Sequence, residues 1–137
     1  MSHPTALVLA ALCGWALLLL VLMELLRVAW VARGRLAPNE FRPDNANLSP
    51  FMQRLARAHA NCIEGLPVFG GLLLLALVTQ RTALTDPLAP WLLGARVTQS
   101  CVHLVSTSVP AVNLRFAAFC VQLAIALVWV WGLLMPG

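Results

Sequence analysis

The stretch RAHANCIEGLPVF, residues 57 to 69, places an arginine, a histidine, an asparagine and a glutamate at the head of a run that otherwise reads as membrane. At 100° per residue, Arg57, Asn61 and Glu64 fall within one narrow arc, at i, i+4 and i+7, whereas His59 points the opposite way. A second stripe follows in Arg96, Ser100, His103 and Thr107, with Gln99 and Ser106 on its flank. Guanidinium groups bind carboxylates through paired hydrogen bonds, a glutamate binds an ammonium, and Asn and Gln donate and accept. Such a set suits an anionic or zwitterionic ligand.

An arginine deep in a membrane costs roughly 2.5–3.5 kcal/mol unless it faces a cavity or a partner. Glu64 is the only acidic side chain in the apolar segments beyond residue 54, so an Arg96 to Glu64 pairing is expected. Two readings of the cluster follow. One is a buried ion pair and hydrogen-bonded seam that fixes helix register. The other is a polar pocket at the cytoplasmic end of the bundle. A salt bridge needs two residues, whereas this set also holds Arg57, Asn61, Gln99, Ser100, His103 and Arg115, which favours the pocket. Cys101-x-His103 supplies two metal ligands without a third, and no metal site is expected.

The elements that carry these residues are apolar throughout. Of 137 residues, 61% are hydrophobic and 10% charged, and the mean hydropathy is +0.85. Soluble domains have about 25% charged residues, so an integral membrane protein of one domain, residues 1–137, is expected. Four apolar blocks, about 5–31, 55–79, 87–108 and 112–135, each reach the ~20 residues that a helix needs to cross a bilayer. Runs such as LVLAALCGWALLLLVLM lack the period-2 alternation of a β-barrel, so the fold class is all-α, a four-helix membrane bundle. The second block has only 15 uninterrupted apolar residues, Gly65 to Thr79, so its polar head must lie at or inside the membrane interface. Pro67 predicts a kink beside Gly70 and Gly71.

All nine basic residues are arginine, and the net charge is +4. They concentrate around the connection 32–54, which is placed on the cytoplasmic side, with both termini on the other. Nucleic acid is excluded as a partner, and membrane lipid is expected. Four cysteines without a C-x-x-C pair read as small hydrophobes. The five tryptophans read as interfacial anchors, except Trp15. A signal peptide is a poor reading of the N-terminal run, and no inverted repeat suggests a transporter.

Arg57-Ala58-His59, then Asn61, Glu64, Pro67 and Phe69, resembles the second-helix signature R-A-H-x-N-x-x-E-x-x-P-x-F of the membrane-associated proteins in eicosanoid and glutathione metabolism, the MAPEG family. Ala95-Arg96 and the segment Pro110 to Arg115 extend the resemblance over nearly the whole chain. It implies a homotrimer of four-helix subunits, in the inner membrane if the source is bacterial. Glutathione would then lie between subunits near the cytoplasmic face and react as a thiol co-substrate with a lipophilic small molecule, in a transferase or peroxidase reaction. By the same resemblance Arg57, Asn61, Glu64 and Arg96 belong to the glutathione-binding set, with His59 in the motif, and Gln99 is counted among the binding residues at a position where the family pattern differs. Arg115 is the arginine expected beside the sulfur, where a fixed positive charge favours the thiolate. Active relatives often show Arg-x-x-His-x-x-x-Tyr in the third span; here those later positions are Gln99 and His103, no tyrosine exists, and Phe116 follows Arg115. His103 is expected to take the phenol's place as donor. The alternative is a catalytically inactive MAPEG-fold protein that binds a lipid-like ligand or serves as a scaffold.

Overall fold

The computed structural model describes residues 3–136, and the described residues are helical without strands. The chain forms α1 (Pro4–Ala32), α2 (Pro50–Val78), a single turn α3 (Thr82–Thr85), α4 (Ala89–Val105) and α5 (Val109–Leu134). Consecutive long helices run up and down, α1 packing mainly on α2 and α4 on α5, with α2 also meeting α4.

Helix ends are set by recognisable chemistry. Ser49 and Ser108 accept hydrogen bonds from Met52 N and Ala111 N, and a proline follows each in the first turn, where its missing N–H is no loss. α1 ends in a Schellman motif: Arg35 N donates to Trp30 O (3.1 Å), Gly34 N donates to Val31 O (2.9 Å), and Gly34 takes φ +70°. α2 ends the same way at Gln80, a residue with a Cβ at φ 58°.

Three helices, α1, α2 and α5, are long and apolar enough to cross a membrane. The fourth expected span is shorter. α4 has 17 residues, about 26 Å of rise, and stops at Val105. The polar stripe therefore ends at His103, and Thr107 lies exposed in the turn beyond. α2 runs through Pro67 as one helix.

The interior holds two apolar clusters. One gathers Val8, Leu12, Phe69, Leu73, Leu92, Ile125 and Trp129; the other gathers Ala16, Leu19, Met23, Leu55, Ala58 and Cys62. Trp129 is fully buried, so it is a core residue and not the interfacial anchor that its place near the span end suggested. Trp91 and Trp131 are exposed, as anchors are.

The connection 33–49 is folded back onto the helices. Asn45, fully buried at φ 56°, accepts from Arg27 Nε (3.0 Å) and Nη2 (2.6 Å) and donates to Met52 O (2.7 Å). Arg27 also donates to Glu24 Oε1 (3.0 Å) and Arg42 O (3.1 Å). The opposite end is closed by Thr5, Thr85 and Asp86. Thr5 gives both its N–H (3.0 Å) and its hydroxyl (2.5 Å) to Asp86. There Arg81 caps α5 by donating to Leu133 O (2.9 Å) and Gly132 O (2.8 Å).

Candidate functional site: a polar cavity between α2, α4 and α5

α2 and α4 turn their polar stripes toward each other beside α5. A cavity of about 440 Å³ opens between the three helices, lined by Asn61, Glu64, Gly65 and Phe69 of α2, Arg96 and Gln99 of α4, and Phe119 of α5. A volume of this size falls within the ~300–1,000 Å³ typical of small-ligand sites. A cavity of about 510 Å³ lies at the C-terminal end of α1, but its only cation, Arg27, is already held by Glu24, Asn45 and the loop carbonyls.

Arg96 is 4% exposed and forms no ion pair with any described residue. Its guanidinium lies against the ring of Phe69, 5.7 Å from the centroid, and close to Gly65. A Cβ at Gly65 would stand 2.8 Å from Arg96 Nη2 and 2.9 Å from Phe69 Cε2. Only glycine lets the cation sit there. The expected Arg96 to Glu64 pair is not formed: Glu64 is exposed on the same cavity, and neither carboxylate oxygen comes within ion-pair distance of a cation among the described residues.

Around this cation the polar side chains are tied into α4. His103, buried, accepts at Nδ1 from Asn61 Nδ2 (3.4 Å), so a neutral His103 carries its proton on Nε2. Ser100 meets the thiol of Cys62 at 3.4 Å. Arg54, Arg57 and Arg115 lie within Coulombic reach of His103. Arg54 is occupied by Leu104 O (2.9 Å), whereas Arg57 is exposed and Arg115 buries an Nε with no acceptor.

The structure thus brings Asn61, Glu64, Arg96 and Gln99 onto one cavity, with His103, Arg57 and Arg115 beside it. His59 is elsewhere. It faces the charges of Glu24 and Arg27 on the α1 side, as the helical wheel implied, and it does not line the cavity. Sequence reasoning missed two contributors. Gly65 stood in the sequence only as the first residue of the apolar run to Thr79. Gln122, fully buried on α5, donates to Gln99 Oε1 (2.9 Å) and to Ala118 O (3.1 Å). Its signal was available: it is the one polar side chain in the apolar run from Phe116 to Met135.

Fold and cavity together define an all-helical integral membrane protein whose polar residues gather on one buried arginine. The family's sequence model matches residues 5–135, and the chain belongs to the MAPEG family. It is therefore a membrane protein of a family associated with eicosanoid and glutathione metabolism. No curated protein matches it closely enough to carry a more specific activity. No group of three or more metal-ligating side chains occurs among the described residues.

Proposed function

We propose that this protein is a glutathione-dependent transferase or peroxidase acting on lipophilic electrophiles. Its four helices would all cross the inner membrane, both termini outside, and three copies would assemble so that glutathione lies between neighbours near the cytoplasmic face. The observation that carries this reading is Arg96: a buried guanidinium with no anion of its own, opening on a cavity that also presents Glu64. Glutathione brings two carboxylates and one ammonium. Arg96 and Arg57 match the carboxylates, Glu64 matches the ammonium, and Asn61 and Gln99 match the peptide groups.

Thiol activation falls to Arg115 and His103. A cation near the sulfur lowers a thiol's pKa, and the thiolate is the species that attacks an electrophilic carbon or a peroxide oxygen. His103, oriented by Asn61, has Nε2–H available as a hydrogen-bond donor. The electrophile reaches the sulfur laterally from the bilayer, across the apolar outer faces of α4 and α5. The test is formation of a glutathione conjugate from a lipophilic electrophile such as an aryl halide. Conjugation lost in Arg115→Ala and retained in Arg33→Ala is the expected result; equal turnover in both variants contradicts the assignment.

A second reading, a catalytically inactive binder of a lipid-like ligand or a scaffold, is favoured by the absence of tyrosine and by Phe116, which is 66% exposed directly after Arg115. It predicts no conjugate with any electrophile and no stabilisation by glutathione.

A further inference from the structure

The amide of Gln122 has one allowed orientation, and that orientation propagates into the cavity. Its Nε2 lies 3.1 Å from Ala118 O, a backbone carbonyl that can only accept. Turning the amide over would set two acceptors against each other, so the nitrogen stays on that side. The same nitrogen lies 2.9 Å from Gln99, so the atom of Gln99 facing α5 is its acceptor, Oε1. Gln99 is left with Nε2 as its free end, on the cavity that Arg96 also lines.

Resting on the glutathione reading above, we propose that Gln122 is a positioning residue: it fixes Gln99 so that its NH₂ joins the Arg96 guanidinium in a donor-only patch on the cavity wall. Such a patch takes an acceptor-only group, a carboxylate, and disfavours the ammonium or amide N–H groups of the same ligand. It thereby sets which end of the peptide enters at this wall. Glu64, on the opposite side of the charge balance, is left for the ammonium. Gln122 itself touches no ligand, because it is fully buried behind Gln99.

The test uses the full chain in detergent with glutamine side chains labelled with ¹⁵N, which gives four amide signals, from Gln53, Gln80, Gln99 and Gln122. Without ligand, the Gln122 NH₂ is expected to be protected from solvent exchange by its two acceptors, and the Gln99 NH₂ to exchange through the cavity. In Gln122→Leu the Gln99 signal is expected to split or broaden as its amide reorients. The reverse pattern, Gln99 protected and Gln122 exchanging, overturns the proposal whether or not glutathione binds. With glutathione added, Gln99→Glu keeps the acceptor for Gln122 but turns a carboxylate oxygen on the cavity, and at least a tenfold loss of affinity is expected. Gln122→Leu is expected to weaken affinity several-fold with little change in turnover at saturation. Wild-type affinity in Gln99→Glu would also overturn it. Failure of the wild type to bind glutathione would instead remove the functional reading and leave the amide-exchange result to decide the orientation.

Discussion

The two ends of the bundle use polar residues in opposite ways. At the end that joins the start of α1 to α3, the groups pair with one another: Thr5 with Asp86 and Thr85, and Arg81 with the last carbonyls of α5. Across the cavity near the middle and other end of α2, Arg96, Glu64 and Arg115 remain without counter-charges among the described residues. Each end also has a glycine under a close approach. Gly132 makes room for the side chain of Leu84, whose Cδ1 would stand 2.6 Å from an added Cβ, and Gly65 makes room for a guanidinium. The first arrangement completes itself and closes the fold. The second leaves charges that, on the glutathione reading proposed above, a ligand would complete.

Substitutions at the two carboxylates should separate these roles most sharply. Asp86→Ala removes the acceptor of two Thr5 hydrogen bonds, and the loss should be about 1.5–3 kcal/mol of stability in a denaturation series. Glu64→Gln breaks no bond within the chain and should stay within about 0.5 kcal/mol of wild type, while weakening glutathione binding. Equal destabilisation by both would show that Glu64 has a structural partner after all.

The glycines give the next contrast. Gly132→Ala should cost about 1–3 kcal/mol of stability through overpacking against Leu84. Gly65→Ala should displace Arg96 and reduce protection by glutathione, with the smaller loss of unliganded stability, since a guanidinium on a flexible stem can move into the cavity. Melting curves of both variants with and without glutathione read the two effects separately.

Acid should act on the paired end. Burial alone would raise the Asp86 carboxyl, but the hydrogen bonds from Thr5 and the nearby His3 outweigh it and hold the group below the usual carboxylate range. A carboxyl lowered in the folded state stabilises fully above the unfolded value, near pH 4, and loses that contribution as pH falls through the folded value. The melting temperature should therefore drop below about pH 4 in wild type and drop less steeply in Asp86→Asn. A gain is expected at Gln80, whose φ of 58° burdens a residue with a Cβ; Gln80→Gly should add about 1 kcal/mol.

Much of this contrast is legible in the sequence. Apolar runs fix the helices because nothing else satisfies the backbone in lipid. The spacing Arg57, Asn61, Glu64 places one face, and the wheel sends His59 to the other. The missing ion pair was not legible, because side-chain reach and the groove over Gly65 depend on how α2 and α4 are packed. Trp129 looked like an anchor for the same reason: position along a helix gives depth, and only packing gives the face. The fold of the 33–49 connection hangs on Asn45, whose left-handed backbone and three hydrogen bonds give no periodic signal.

The most direct test of the account is the thermal stability of the detergent-solubilised protein with and without millimolar glutathione, in wild type and Arg96→Ala side by side. A ligand that binds only the folded state at 100 times its Kd adds about 2.7 kcal/mol. A clear upward shift in wild type, absent from an Arg96→Ala protein of the same oligomeric size, is the predicted result. A well-folded wild type that does not respond, or an Arg96→Ala variant that responds equally, would contradict the claim that this buried cation waits for glutathione.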